Sequence, residues 1–102
     1  MDKNEVVCRV SRARNKAGLS ARELSLRIGK NSAYISRLES KNDSFELSTS
    51  ALLDIIANCN MTEEEFFYHD IDQYEQDRKL LDLLKNTKSD VKELLIKLLE
   101  KI

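Results

Sequence analysis

Basic side chains are concentrated in the N-terminal part of this 102-residue chain. Residues 1–41 carry ten Lys and Arg against four Asp and Glu, a net charge of +6, whereas residues 42–102 carry seven basic and fourteen acidic residues, a net charge of −7. Ammonium and guanidinium groups gathered in this way can attract a polyanion, although the whole chain has a net charge of only −1. Two solvated helical surfaces of opposite sign would give the same pattern, so charge alone does not decide between these interpretations.

The other reactive side chains do not form a catalytic or metal-binding pattern. His69 is the single histidine, and Cys8 and Cys59 are the two cysteines, at spacings that do not match a zinc site. No Ser/His/Asp set, Gly-rich phosphate loop or HExxH-type pair is present. We therefore expect no enzyme activity and no cofactor. Each cysteine lies in an apolar helical pattern, which favours a small buried side chain over a disulfide.

The composition of the chain favours an all-α fold. Helix-forming residues dominate, there are two glycines and no proline, and no alternating run of β-branched residues predicts a sheet. The length suits one compact domain with an appendage. Because no apolar stretch reaches membrane-spanning length and the N-terminus lacks a signal-peptide core, we expect a cytoplasmic protein with no membrane partner.

Capping signals and hydrophobic spacing predict a series of short helices. Residues 5–16 form the first helix, which Gly18 ends. A fourth helix begins at Ser48 or Thr49, and a fifth follows Thr62, which has a glutamate three residues later. A second and a third helix are predicted between residues 20 and 40. The apolar residues expected to face inward in the first four helices are Val6, Val7, Val10, Ala13, Leu24, Ile28, Ile35, Leu38, Leu52, Leu53, Ile55 and Ile56.

The second and third predicted helices have the most informative spacing. Ser20 and Glu23 form a capping box that opens the second helix, and Gly29 supplies a sharp turn after it. Asn31 is the predicted N-cap of a third helix that extends to about Ser40. Two helices of about two turns each, joined in this way, are typical of a helix-turn-helix, which presents the start of its second helix to a DNA major groove.

Residues 18–25 (Gly-Leu-Ser-Ala-Arg-Glu-Leu-Ser) and 28–39 (Ile-Gly-Lys-Asn-Ser-Ala-Tyr-Ile-Ser-Arg-Leu-Glu) resemble the Cro/C1-type (XRE-type) helix-turn-helix family. The resemblance continues through the fourth helix and covers about residues 6–68. It implies a five-helix lambda-repressor-like DNA-binding domain over residues 1–68. It also implies sequence-specific binding of double-stranded DNA by a transcriptional regulator that inserts helix 31–40 in the major groove. Repression is favoured over activation, and the sequence leaves both open.

The resemblance also implies which residues face the DNA. Arg37 is the expected base reader, because a guanidinium can pair with guanine through two hydrogen bonds. The start of the second helix is expected to hold a phosphate. Tyr34 either stacks on the DNA backbone or packs on the domain surface. The full set is Ser20, Ala21, Arg22, Asn31, Ser32, Ala33, Tyr34, Ser36, Arg37, Ser40, Lys41 and Asn42.

A structural ion pair between Arg14 and Glu39 is implied by the same resemblance. It would link the first and third helices and hold the recognition helix in place. The chain departs from the family pattern at Ala21, where Gln is common, and at residues 40–45, which replace a Gly and a Pro-Ser step. Leu26 is an apolar side chain at a position that is usually exposed.

Residues 69–102 predict two amphipathic helices, the second opened by Thr87 and Asp90, in a helical hairpin. Its leucines must pack on the DNA-binding domain, within the hairpin, or on a second subunit. We expect a homodimer on a palindromic operator, since one small recognition helix discriminates few base pairs. A monomer with a helical lid is the alternative. The rival function is a protein-interaction module, such as an antitoxin or sensor partner, with the same fold.

Overall fold

The computed structural model describes residues 2–40 and 46–102, and every regular element in these ranges is helical. The helices are α1 (Lys3–Lys16), α2 (Ala21–Arg27), α3 (Tyr34–Glu39), α4 (Thr49–Asn58), α5 (Glu63–Phe66), α6 (Tyr74–Lys85) and α7 (Ser89–Glu100). A 3-10 turn, Ile71–Gln73, directly precedes α6. The expected all-α class is confirmed. No helix within the described ranges has the length and apolar character needed to cross a membrane.

The chain forms two compact units. The first ends at Ile71, and the second is Asp72–Ile102. The first unit contains α1 to α5, whereas the second contains α6 and α7. The sequence pattern places the boundary after residue 68, three residues earlier than this division.

The first unit has a continuous apolar core. Its largest fully buried apolar side chains are Phe66, Leu24, Ile35, Leu38, Ile55, Ile56, Ile71 and Val10. Burial of one such side chain contributes roughly 1.5–3 kcal/mol, so the core is the main source of stability. Truncation of Phe66, at the end of α5, to Ala would cost about 3–5 kcal/mol because it would leave a cavity among these neighbours.

Local side-chain caps set the starts of α1, α2, α4 and α5. Asp2 accepts a 2.8 Å hydrogen bond from the backbone N–H of Glu5, so α1 begins at Lys3, two residues before the predicted start. Ser20, Ser48 and Thr62 cap α2, α4 and α5 in the same way. The caps predicted at Ser20 and Thr62 are therefore confirmed, and of the two candidates for α4 the cap is Ser48, not Thr49.

Two glycines end α1 and α2 in the left-handed conformation. Gly18 has φ +72° and Gly29 has φ +75°. A side chain at either position would be strained, because L-residues other than glycine rarely adopt a positive φ. The strain would come from the backbone alone, since no neighbouring atom lies within contact distance of the Cβ position. These residues allow the chain to turn sharply on both sides of α2, which brings α2 against α3.

Two predictions of burial are wrong, and helix phase explains them. Cys8 is exposed, because it lies about 160° around α1 from the buried Val10. Leu53 is 44% exposed, on the far side of α4 from Ile55. In contrast, Ile28, at the C-cap of α2, is half-buried and packs against the core as predicted. Cys59 is also buried as predicted.

The start of α7 also differs from the prediction. Its N-cap is Lys88, which makes no side-chain cap hydrogen bond. Thr87 does not open this helix, because its hydroxyl donates a 3.0 Å hydrogen bond back to the carbonyl of Leu83 and so belongs to the end of α6. Asp90 accepts from the adjacent N–H of Val91 instead of pairing with Thr87.

Candidate nucleic-acid interface

The recognition segment is a turn followed by a short helix. α3 covers Tyr34–Glu39, and its N-cap is Ala33, with no side-chain cap hydrogen bond. The prediction that Asn31 caps this helix is wrong, and so is the expected helix 31–40. The side-chain oxygen of Asn31 accepts a 3.0 Å hydrogen bond from the backbone N–H of Ala33, which holds residues 31–33 in a turn.

Ser25 links α2 to the start of α3. Its side chain is fully buried, and its hydroxyl donates a 2.7 Å hydrogen bond to the carbonyl of Ala21. The same oxygen accepts a 2.9 Å hydrogen bond from the backbone N–H of Ile35. That N–H is in the first turn of α3, where no intrahelical acceptor is available. A side chain from α2 therefore supplies the cap that the residues before α3 lack.

No capping pattern predicts this role of Ser25. The signal that could have found it is the inward face of α2, where Ala21, Leu24, Ser25 and Ile28 follow helical spacing. A hydroxyl on an inward face must find a partner, since burying it unpaired is costly. Its partner, however, lies ten residues along the chain and becomes evident only in the folded unit.

Arg14 and Glu39 form the ion pair that the resemblance implies. Arg14 Nε lies 2.8 Å from Glu39 Oε2, and a second guanidinium nitrogen lies 2.9 Å from Oε1. The third nitrogen donates a 2.9 Å hydrogen bond to the carbonyl of Leu19. Both side chains are only 16% exposed. The hydrogen bond to Glu39 raises the pKa of Arg14, although burial acts in the opposite direction.

The two ends of α3 are thus held by different elements. Ile35, near the start, is bonded to Ser25 of α2, and Glu39, at the end, is bonded to Arg14 of α1. Ile35 and Leu38 fill the core between these bonds. A helix of six residues has little stability of its own, so its orientation depends on these contacts.

The opposite face of α3 is exposed. Ala33, Ser36, Arg37 and Ser40 lie at helical spacing on this face, and all four are exposed. The Ser40 hydroxyl donates a 2.7 Å hydrogen bond to the carbonyl of Arg37, at the end of the helix. Small side chains beside one guanidinium give a face that can approach another surface closely.

The turn before α3 carries a basic residue that was not among the predicted site residues. Lys30 is exposed, and its Nζ lies 5.5 Å from the centroid of the Tyr34 ring. Tyr34 is half-buried against the core, and this burial raises its pKa. Packing on the domain, one of the two interpretations of Tyr34, is therefore observed. In the sequence, the signal that could have identified Lys30 as a site residue is its position directly after Gly29, in the turn between the two helices.

The start of α2 has a complete capping box. Ser20 Oγ accepts a 3.0 Å hydrogen bond from the N–H of Glu23, and Glu23 Oε1 accepts a 3.1 Å hydrogen bond from the N–H of Ser20. Hydrogen bonds to the Glu23 carboxylate from the backbone N–H of Ser20, and secondarily from the Ser20 side chain, lower the pKa of Glu23. Since Ser20 already uses its N–H, the first turn of α2 can present only the N–H groups of Ala21 and Arg22 to an anion.

The helix-turn-helix family model matches residues 10–66, more than half of the chain. This protein belongs to the Cro/C1-type helix-turn-helix family. The family is one of DNA-binding transcription regulators. The match covers the helix pair α2 and α3 and both contacts that hold α3. Neither a curated protein nor a solved structure was found to match the chain.

Charge is divided by sequence within this helix-turn-helix unit. Residues 42–71 contain seven acidic residues and no basic residue, including the three consecutive glutamates Glu63, Glu64 and Glu65 of α5. The basic residues of the unit belong to the segment that contains α1, α2 and α3. A polyanion is therefore attracted to α1–α3 and repelled by α5.

Two predicted site residues, Lys41 and Asn42, lie outside the described residues. The other ten lie within them. Seven are exposed, and Ala21, Ser32 and Tyr34 are half-buried. Across residues 2–40 and 46–102, His, Cys, Asp and Glu side chains form no group that could hold a metal ion.

Proposed function

We propose that this protein is a transcriptional repressor that binds a specific operator in double-stranded DNA. The residue 31–33 turn and α3 enter the major groove, which is wide enough for a helix and displays a distinct pattern for each base pair. The observation that carries the proposal is the exposed face of α3, whose two ends are held by Ser25 and Arg14. Repression needs only occupancy of the operator, whereas activation needs a further contact with the transcription machinery.

The contacts divide into base-reading and phosphate-binding groups. Arg37 reads a base edge, and Ser36, Ser32 and Ala33 are small enough to let the helix approach closely. The side-chain oxygen of Asn31 accepts a hydrogen bond within the turn, so its amide NH₂ is the group proposed to donate to a phosphate or a base. The proposed phosphate contacts come from Ser20, Ala21, Arg22, Lys30, Ser40, Lys41 and Asn42.

A homodimer on a palindromic operator follows from the small size of the reading surface. A helix of six residues contacts few base pairs, and each correct pair supplies only about 1–3 kcal/mol of discrimination. Two copies related by a two-fold axis double this discrimination, with half-sites about 34 Å apart. In this proposal residues 1–68 bind DNA, and residues 69–102 hold the two copies together.

Selection of bound sequences from a random duplex pool tests the function directly. We expect a palindromic consensus, and we expect affinity for it to fall steeply as salt rises, because Lys and Arg displace counterions from phosphates. Loss of all selectivity, or affinity that does not depend on salt, would favour the interaction-module function instead.

Arg37→Ala distinguishes base reading from charge. We expect specific affinity to fall about tenfold or more while non-specific affinity falls much less, because one base contact supplies about 1–3 kcal/mol. Lys97→Ala in α7 makes the same change of charge on a helix without a proposed DNA contact and should change neither affinity. If Arg37→Ala lost specific and non-specific affinity equally in a gel-shift titration, Arg37 would be a phosphate contact and not a base reader.

A further inference from the structure

The second unit, Asp72–Ile102, buries none of its helical side chains. No residue of α6 or α7 is buried within the described chain. Leu83 is 63% exposed, Leu94 is 58% exposed and Leu99 is 66% exposed. A segment of this length cannot form a sufficient core by itself, and an exposed apolar surface of this extent marks an interaction site.

One part of this surface is a groove between α6 and α7. The groove has a volume of about 450 Å³, and its walls are almost entirely apolar. The two helices do not pack closely backbone to backbone, although both line the groove. We refer to this feature as the leucine groove, and its apolar lining residues are Leu80, Leu81, Leu84, Leu95, Ile96 and Leu99.

A second part of the surface is a ridge on α7. Val91, Leu94 and Leu98 follow helical spacing, do not line the leucine groove, and are 42%, 58% and 52% exposed. We refer to these three residues as the α7 ridge. Because α7 is apolar on two neighbouring faces, closing α6 onto α7 would cover the groove and still leave the ridge in water.

We propose that the α7 ridge of each copy inserts into the leucine groove of a second copy, so that two units close into a four-helix assembly with two-fold symmetry. One unit carries both complementary shapes, which allows both insertions to form at once and leaves neither feature open. Rows of side chains spaced by three and four residues pack into grooves between helices in this manner. The inference specifies the dimer interface of the proposed function.

The size of the apolar surface supports a second copy as the occupant. Eight large apolar side chains of α6 and α7 are 42–66% exposed, and seven of them belong to the leucine groove or the α7 ridge. A stable interface of standard size buries about 800 Å² per partner, and this apolar surface is the part of the unit that can contribute to such an area.

The charge of the unit also favours a second copy. Residues 72–102 carry seven Asp and Glu and seven Lys and Arg, so their net charge is zero. A neutral unit is not attracted to a nucleic acid or an anionic membrane, and two neutral units approach each other without net repulsion.

Sedimentation equilibrium of the full chain tests the association without DNA. We expect the wild type to sediment as a dimer. Leu94→Lys on the ridge and Leu99→Glu in the groove should each raise the dimer dissociation constant at least about tenfold. Leu53→Lys, which alters an exposed leucine of α4, should leave the dimer unchanged. All three side chains are exposed, so the fold of the first unit should be unchanged, which hydrogen exchange of its core amides measures.

A mixture of the two charged variants tests the geometry. In a ridge-in-groove dimer, the lysine introduced by Leu94→Lys in one copy meets the glutamate introduced by Leu99→Glu in the other. The second ridge and groove are both wild type. Mixing the two variants in equal amounts should therefore restore a dimer of one copy each. No restoration, although each variant is monomeric alone, would overturn the ridge-in-groove arrangement.

Other results would overturn the proposal as a whole. These are a monomeric wild type at concentrations well above those used for DNA binding, an assembly that grows beyond a dimer, or a dimer that neither charged variant weakens. If the wild type were a monomer, the occupant of the leucine groove would be a different protein and not a second copy of this chain. A dimer that binds no DNA would instead contradict the proposed function and leave this interface intact.

Discussion

The buried hydroxyl of Ser25 accepts a 2.9 Å hydrogen bond from the backbone N–H of Ile35. The same oxygen donates to the carbonyl of Ala21, so one side chain satisfies groups on α2 and α3. Because Ala33, at the N-cap of α3, provides no side-chain bond, this contact is the cap of the recognition helix. The position of the proposed DNA-reading face therefore depends on a residue that does not face the DNA.

Ser25→Ala should destabilise the protein by about 1–3 kcal/mol, because it leaves the Ile35 N–H buried and unpaired. Urea denaturation measures the loss, and hydrogen exchange should show faster exchange of the Ile35 amide. Ser89→Ala, at an exposed position in α7, is the matched control and should change little. Equal unfolding free energies for Ser25→Ala and wild type would show that the Ser25 bond contributes nothing.

The ion pair between Arg14 and Glu39 should show a coupling energy of about 1–3 kcal/mol in a double-mutant cycle with Arg14→Met and Glu39→Gln. Its two side chains are mostly buried and bonded through two nitrogens. The more exposed pair Arg78 and Asp82, at 3.8 Å, should couple by less than about 0.5 kcal/mol in the same measurement.

Arg14→Lys should not rescue the interaction, although it keeps the charge, because an ammonium cannot make the two parallel bonds to Glu39 while also bonding the Leu19 carbonyl. If Arg14→Lys were as stable as wild type, charge alone would explain the pair. If the losses of the two single variants simply added in the double variant, Arg14 and Glu39 would have no specific interaction.

The capping box of α2 should make stability depend on pH. Hydrogen bonds from Ser20 lower the pKa of Glu23, so its contribution is fully present above the ordinary glutamate pKa of about 4.3 and is lost as pH falls through the lowered value. The stability difference between wild type and Glu23→Gln should therefore be constant near neutral pH and should change in acid below about pH 4.

Ser20→Ala provides the control for this effect, since it removes the side-chain hydroxyl whose hydrogen bond to the Glu23 carboxylate helps to lower its pKa. In that background, the pH dependence of the Glu23→Gln difference should become smaller. Urea midpoints measured from pH 2 to 7 test both statements. A difference that stays constant over the whole range would contradict the role of the Glu23 charge in the cap.

Lys30→Ala should weaken binding to specific and non-specific duplexes by a similar factor. The residue is exposed in the turn before α3, and a lysine in this place is proposed to contact phosphate. Loss of one phosphate contact should reduce the slope of log affinity against log salt by about 1. A selective loss at the consensus sequence would instead make Lys30 a base reader.

The two cysteines should differ strongly in reactivity. Cys8 is exposed, whereas Cys59 is 4% exposed, and burial raises the pKa of the Cys59 thiol. A thiol reagent should modify one cysteine rapidly in the folded protein and the second only on unfolding. Cys8→Ser should abolish the rapid phase. Rapid modification that persists in this variant would mean that the core around Cys59 opens readily.

The features predicted successfully from the sequence are those that short-range chemistry decides. Ser20 and Glu23 are three residues apart, so the capping box forms within one helical turn. Gly18 and Gly29 lie in the left-handed conformation that few other residues adopt. The family pattern combined these local signals with apolar spacing, which was enough to establish the all-α fold and the helix-turn-helix.

Two kinds of feature could not be predicted from the sequence and became evident only in the tertiary structure. They are the direction in which each helix face points and the choice that a polar side chain makes between hydrogen-bonding partners. Asn31 has the residue type of an N-cap, but its side chain bonds within a turn, and α3 begins after it. Cys8 and Leu53 lie in apolar patterns, yet the packing of α1 and α4 turns them outward.

The sequence by itself determined which segments are helical, where α2, α4 and α5 begin, and that the order of the helices is that of a DNA-binding family. Only the tertiary structure decided how α3 is held, because Ser25 and Ile35 are ten residues apart and Arg14 and Glu39 are twenty-five apart. Local chemistry can choose a conformation over a few residues, whereas contacts between distant residues depend on how the whole core packs.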